Sequence, residues 1–243
     1  LRSAGTGAPV LLFVPGWGMP ASIWQPQLNG LGQSHRCTAL DPRGQGESAA
    51  PVSGYTIERR VADLAEVIDH LGPLLLVAWS LGVLEALHYV HLNGAGKLRG
   101  LMLVDNSVGE PPAPKSGDFL QRLRKEREKT VEAFVRGMFA TNQPQAEIEA
   151  IKRSALRLPV EDSIALLSYP LPREHWRSIA RAFPKPLAYV VTPRLEPQAK
   201  SLQANRPATR IEVFRDAKHA LFVDQPERFN QVLGEFIEDV RRQ

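Results

Sequence analysis

Val10–Val14 (VLLFV) is apolar at every position and stops at Pro15-Gly16-Trp17-Gly18. An unbroken apolar run of this length predicts a strand covered on both faces, because a strand with one wet face would alternate. Leu74–Trp79 and Leu187–Val191 read the same way, as does 100–104. The stretches 36–40 and 210–214 are weaker strands. Helical patterns lie between them. In Ile57–Leu71, the side chains of Val61, Leu64, Ala65, Ile68 and Leu71 fall on one helical face, and Gly72-Pro73 closes the run. Helices are also predicted over 81–92 and 226–242, the latter with Pro226 suited to a first turn.

Strands alternating with helices predict an α/β domain built on a mostly parallel, doubly wound sheet. One interval breaks the rhythm. From 107 to 186 no buried-strand pattern recurs, and the chain carries charged helical segments and several prolines. This interval is predicted to be an inserted helical lid, leaving 1–106 and 187–243 as the core domain.

The 243 residues suffice for one such domain with a sizeable core. Cys37 is the one cysteine, so no internal disulfide can form, which fits a reducing compartment. No apolar run approaches the roughly 20 residues of a membrane span. The first eight residues have neither the charged head nor the apolar core of a signal sequence, and a leader upstream of them is not addressed by these residues.

The chemistry centres on Ala78-Trp79-Ser80-Leu81-Gly82, which joins a predicted strand to a predicted helix. A serine in a small-x-Ser-x-Gly turn is forced out above the sheet edge, and the residues two before and two after it pass close together. The helix start adds a favourable field for developing negative charge, with the Leu81 N–H as one donor. The blander reading, that Ser80 only caps the helix, leaves the strand-turn-helix setting unused. His219 follows the last predicted strand and is placed to act as base. A triad also needs a carboxylate. Two candidates exist: Asp105, at the end of 100–104, and Glu196, in the loop after Leu187–Val191. Asp105 is preferred because it ends a well-defined strand.

Two other motifs offer competing readings. Gly16-Trp17-Gly18-Met19-Pro20-Ala21, with Asp41 about 20 residues on, matches the dinucleotide fingerprint. Trp17 is bulky where that turn hugs a pyrophosphate, and the match leaves Ser80 and His219 without a role. His88 and His91 stand three apart on one helix, but no acidic or cysteine cluster completes a ligand set. Packing is the preferred role, and no metal or other cofactor is expected. His35, His70 and His175 show no partner in sequence.

Taken together, Gly16-Trp17-Gly18 with Ile23-Trp24, Trp79-Ser80-Leu81-Gly82, and Lys218-His219-Ala220-Leu221-Phe222 resemble the α/β-hydrolase superfamily. Within it they resemble the pimeloyl-acyl-carrier-protein methyl ester esterases and related carboxylesterases. The resemblance implies an α/β-hydrolase fold, cytoplasmic location, Ser80 as nucleophile, His219 as base, and Trp17 and Leu81 amides as oxyanion donors. Gly16, Trp79 and Phe139 are expected beside the substrate, with Phe134 and Met138 as further apolar lining. The chain departs from the pattern in Pro15, in place of a usual histidine, and in lacking an aspartate after Leu187–Val191. The antiparallel hairpin that usually leads the fold is expected to be absent or reduced.

The net charge is +4 and the pI about 9.4, and the basic surplus lies in the lid. Arg122, Arg124, Lys125 and Arg127 cluster there. The resemblance implies an acidic carrier protein as their partner, whereas a solvated helix with ion pairs is the blander account. No aromatic residues interleave with these charges, which argues against nucleic acid. The resulting expectation is a serine carboxylesterase working through an acyl-enzyme. Lactone opening, C–C hydrolysis or perhydrolysis on the same fold are alternatives, as is a non-enzymatic small-molecule receptor. The oligomeric state is left open.

Overall fold

The computed structural model describes residues 1–114 and 117–242. Seven strands form one sheet: β1 (Arg2–Ala4), β2 (Val10–Val14), β3 (Cys37–Ala39), β4 (Leu74–Trp79), β5 (Leu98–Val104), β6 (Leu187–Val191) and β7 (Thr209–Val213). Their order is β1-β3-β2-β4-β5-β6-β7. Every neighbouring pair is parallel except β1 with β3. The expected parallel, doubly wound α/β architecture is therefore present. A single antiparallel strand, β1, stands at one edge of the sheet.

The parity of β4 shows why its run is continuously apolar. Leu74, Leu76 and Ala78 enter one core, and Leu75, Val77 and Trp79 enter the other. The first core packs against α2 (Ile57–Leu71), α3 (Leu81–Asn93), α8 (Arg173–Ala182) and α9 (Glu196–Asn205). The second packs against α1 (Gln25–Leu31) and α11 (Pro226–Arg241). With water on neither face, each fully buried aliphatic side chain contributes roughly 1.5–3 kcal/mol of transfer free energy. On α2, the Thr56 hydroxyl accepts from the Arg59 N–H at 3.3 Å, capping the helix start. Gly72 ends it at φ 81°.

Between β5 and β6 the described residues contain helices and no strand. These are α4 (Phe119–Lys125), α5 (Arg127–Gly137), α6 (Gln145–Ala155), α7 (Val160–Ala165) and α8. The first four cover the loops at the carboxyl edge of the sheet. Trp17, after β2, donates its indole N–H to the Ser163 carbonyl at 2.7 Å. A Cβ on Gly18 would stand 2.9 Å from Ala155. Helix α8 is different: Trp176 and Ala180 enter the core shared with α3. It belongs physically to the layer flanking the sheet.

The short α10 (Leu221–Asp224) precedes α11. Cys37 is buried, and burial pushes its thiol up to about 12, which leaves it unreactive near neutrality. Among the described residues no helix is long and apolar enough to cross a membrane.

Candidate active site

Ser80 sits between β4 and α3 with φ 55° and ψ −121°. A side chain at positive φ costs roughly 1–3 kcal/mol and persists only where surrounding contacts enforce it. Here the Ser80 N–H donates to the Val104 carbonyl at 3.0 Å, and its own carbonyl accepts from the Val83 N–H at 2.9 Å and the Asn106 side chain at 2.7 Å. The turn also needs small neighbours. A Cβ on Gly82 would lie 2.8 Å from the Val14 carbonyl oxygen. One on Gly16 would lie 2.8 Å from Ser80 Cβ and 3.2 Å from Oγ. Gly16 therefore lets the loop after β2 press directly against the hydroxyl.

The imidazole of His219 bridges two residues distant in sequence. Nε2 is 2.9 Å from Ser80 Oγ, and Nδ1 is 2.8 Å from Asp105 Oδ2. Among the described residues, Asp105 is the one non-glycine residue besides Ser80 at positive φ, at 43°. Its carboxylate is 1% exposed. Its other oxygen, Oδ1, accepts the Thr192 N–H at 2.9 Å and the Thr192 hydroxyl at 2.8 Å. Burial opposes ionisation of Asp105 most strongly. The hydrogen bond and charge of His219, with the two Thr192 bonds, outweigh it and hold the carboxyl below its ordinary range.

Glu196, the other candidate acid, opens α9 and pairs with Arg215 at 3.0 Å and Lys200 at 2.8 Å. It takes no part in the His219 contact because the chain turns into the helix before reaching the ring.

The residues expected beside the substrate separate into distinct positions. Leu81 follows Ser80 directly and Trp17 follows Gly16, whose backbone abuts the Ser80 side chain, and among the described residues neither N–H donates to a protein carbonyl or side chain. The Trp17 ring meets Phe119 and Phe134 edge-on at 5.6 and 5.7 Å, and Phe134 lies 6.5 Å from the His219 ring. Phe119 gave no signal in sequence because it opens a short, charge-rich helix, FLQRLRK, whose apolar positions name no ligand. Trp79 is fully buried. Its parity on β4 turns it into the core, where its indole N–H donates to the His219 carbonyl at 2.8 Å. It supports the loop that carries His219 and offers no surface to a substrate. Phe139 lines a different cavity, with Ile23, Ile151 and Val223. Met138 does line the cleft beside His219, whose volume is about 710 Å³.

Asp41, the acid of the dinucleotide pattern, is buried and accepts the Ala21 N–H at 2.7 Å, so it is not free to bind a ribose. His175, which had no visible partner, meets His88 at 3.0 Å between Nε2 and Nδ1. Burial lowers the pKa of both rings, followed by the proximity of other imidazoles. Among the described residues no group of three or more ligating side chains is arranged to hold a metal ion.

In the basic cluster, Arg124 pairs with Glu161 at 2.9 Å, and Arg122 stands 3.9 Å from Asp118. Arg127 turns inward and donates to the Leu156 and Leu158 carbonyls. It caps the end of α6 and is half-buried, its guanidinium engaged by these carbonyls.

Thr192, Asn106, Gln45 and Asp224 all brace the site, and none was singled out from the sequence. Thr192 opens the loop after β6, where a triad acid commonly sits, but a lone hydroxyl carries no signal of its own in sequence.

The comparisons with known proteins agree with this fold. A pimeloyl-[acyl-carrier protein] methyl ester esterase from Pseudoalteromonas atlantica is 28% identical over 253 residues, covering 94% of this chain and 93% of that protein. A non-heme haloperoxidase from Rhodococcus erythropolis is 36% identical over 103 residues, covering 41% of this chain and 37% of its own. Among solved structures, an esterase from Exiguobacterium antarcticum superposes with a TM-score of 0.84 at 20% identity, over 98% of this chain and 94% of that one. The model of the alpha/beta hydrolase family matches residues 11–232, from β2 into α11, and the chain belongs to that family.

Proposed function

We propose that the protein is a serine carboxylesterase acting through an acyl-enzyme, with Ser80 as nucleophile, His219 as general base and acid, and Asp105 as the group that orients the ring. The observation that carries this reading is the unbroken line Ser80 Oγ–His219–Asp105, 2.9 and 2.8 Å, at the carboxyl edge of the sheet. Ser80 Oγ attacks the ester carbonyl and its proton passes to His219 Nε2. The oxygen gains negative charge and is held by the Trp17 and Leu81 amides. Collapse of the adduct breaks the bond to the alcohol, which leaves with the proton from His219. Water then repeats the sequence, His219 taking its proton, and releases the carboxylic acid with Ser80 restored. No cofactor enters these steps. Asp105, with its carboxyl held ionised, favours the tautomer with hydrogen on Nδ1 and stabilises the imidazolium formed at each attack.

Helices α4–α7 serve as the lid. Phe119 and Phe134 with Trp17 supply an apolar wall for the acyl chain, and Arg122, Arg124 and Lys125 face outward to receive an acidic carrier protein. The similarity to the methyl ester esterase supports a carrier-bound methyl ester as substrate, and the cytoplasm is the setting proposed for it. The test has two arms. A fluorophosphonate probe labels the wild type and fails to label Ser80→Ala. Absence of labelling in the folded wild type overturns the serine mechanism and favours a receptor role. A methyl ester on an acyl-carrier protein is hydrolysed at least tenfold more efficiently than the free ester, and replacing Arg122, Arg124 and Lys125 by glutamate removes that advantage alone. Equal efficiency on both esters overturns the carrier assignment. Lactones and a peroxide-supplemented assay distinguish the other reactions of the fold.

A further inference from the structure

The Gly16 carbonyl and the Trp17 N–H are opposite ends of one planar peptide, so fixing the carbonyl fixes where the N–H points. That carbonyl accepts the Gln45 side-chain amide at 3.0 Å. The same Gln45 nitrogen donates to the Met19 carbonyl at 2.9 Å, so both of its hydrogens are spent across the loop after β2. Gln45 is 1% exposed, and its amide oxygen accepts from Arg60 Nη1 at 3.1 Å. A guanidinium only donates, so the oxygen of Gln45 must face Arg60 and its nitrogen must face Gly16. Arg60 in turn lies 2.8 Å from Glu85, both side chains buried. Glu85 stands on α3, one turn beyond Leu81. A buried polar line therefore runs from the helix carrying one expected oxyanion donor to the peptide carrying the other. None of these three side chains touches the Ser80–His219–Asp105 line.

We propose that Gln45 is a positioning residue of the oxyanion hole, its orientation set by Arg60 and Glu85, and that it aims and polarises the Trp17 N–H through the Gly16 carbonyl. The proposal rests on the serine-esterase reading and assigns the aim of one of its donors to a side chain outside the site. A hydrogen bond to one end of a peptide strengthens the donor at the other. A misaimed donor fails chiefly when charge develops on the substrate oxygen, so the effect falls on the transition state.

The experiment compares wild type, Gln45→Met and Gln45→Glu on p-nitrophenyl acetate. Met removes the donor. Glu keeps an acceptor for Arg60 but, when ionised, presents no hydrogen to Gly16. Removal of a whole oxyanion donor costs about 10²–10³ in kcat. Misaiming one is expected to lower kcat about 10–100-fold with KM within threefold, and to weaken phenylboronic acid, whose tetrahedral adduct needs the hole, by a similar factor. Fluorophosphonate labelling of wild-type Ser80 is measured first. Its absence sinks the underlying esterase reading, whereas labelling combined with unchanged kcat and boronate affinity in a folded variant overturns the role of Gln45. Should neither variant fold, the wild type still decides. Boronate binding shifts the Gln45 side-chain amide proton downfield in the NMR spectrum, and no shift overturns the proposal.

Discussion

Thr192 and Asp105 stand side by side at the ends of adjacent parallel strands, and both Thr192 donors converge on a single carboxylate oxygen, Oδ1. The register makes this inevitable: Val104 pairs with Val190, so the residues just beyond β5 and β6 emerge together. The loop after β6, which lacks an aspartate, thus supplies the donors for an acid seated one strand over. Asp105 keeps its second oxygen, Oδ2, for His219.

This division of the carboxylate predicts how the two candidate acids differ. Asp105→Asn leaves the shape intact but presents an amide to Nδ1 and allows the wrong tautomer. The analogous change in a well-studied triad costs about 10⁴ in kcat, and a loss of roughly 10³–10⁴ is expected here. Glu196→Gln should leave kcat within about threefold, because that side chain contacts Arg215 and Lys200 at the surface. Steady-state ester hydrolysis by both variants decides between them, and the reverse ranking would sink the assignment of Asp105.

The Thr192 bonds also predict a pH dependence. The Asp105 carboxyl is held below its ordinary range in the folded protein. Its ionised form therefore stabilises the fold fully above the unfolded carboxylate value near 4, and that contribution is lost as pH falls through the lower folded value. Thr192→Val removes one hydrogen bond to a buried charge, worth roughly 1.5–3 kcal/mol. The folded value then moves upward toward the unfolded one, so the variant has less stability to lose on acidification and loses it over a narrower pH range. Urea unfolding across pH 3–7 should show the largest gap between the proteins above about pH 5, closing toward acid. A constant gap would mean that Thr192 does not act through the charge of Asp105.

The sequence and the structure part company at specific places. Continuously apolar β2, β4 and β6 were legible because two-sided burial leaves no polar alternation to confuse them. Helix α1 was not, since Pro26, Asn29 and Gly30 weaken its local signal and packing on α11 decides its form. The three residues of β1 are too few to carry a pattern. Ser80 and His219 were legible because the elbow constrains residue sizes and the base follows the last strand. The choice between Asp105 and Glu196 was less so, because it depends on which strand end faces the ring. That is a property of the register between β5 and β6 and of the point where α9 begins. Trp79 illustrates the limit of motif reasoning: its place beside the nucleophile suggested the substrate, while its parity on β4 sent it into the core.

Gly16 gives a steric prediction. An added Cβ would stand 2.8 Å from Ser80 Cβ, closer than unbonded carbons tolerate, and no flexible side-chain end is there to yield. Gly16→Ala must displace either the elbow or the loop bearing the Trp17 N–H. Overpacking of this kind costs about 1–3 kcal/mol, which a domain of this size survives. The expected result is a folded protein whose kcat falls at least about 100-fold, with far-ultraviolet circular dichroism unchanged. Full activity in Gly16→Ala would mean that the loop and the elbow can separate without consequence.

Asp224 predicts a link between the helical cover and the base. Its carboxylate accepts the Lys218 N–H at 2.9 Å, immediately before His219. It also accepts the Ala140 N–H at 2.8 Å, the Thr141 N–H at 3.0 Å and the Thr141 hydroxyl at 2.8 Å. A further bond, from the Ala220 N–H to the Met138 carbonyl at 2.9 Å, runs between the same two segments. One acidic side chain therefore ties the turn after α5 to the loop that carries the imidazole. Only an acceptor on both oxygens satisfies this set, so Asp224→Asn sets an NH₂ group against at least one N–H donor. Leaving buried donors unpaired costs about 1–3 kcal/mol each, and a total loss of roughly 2–4 kcal/mol in urea unfolding is expected. If the link also holds the ring in place, kcat in the folded variant falls about tenfold or more, and backbone order parameters from relaxation NMR fall together in 138–141 and 217–220. A variant that loses stability but keeps wild-type kcat, with motion confined to 138–141, would show that Asp224 anchors the cover alone and that His219 is positioned by Asp105 and Trp79 without it.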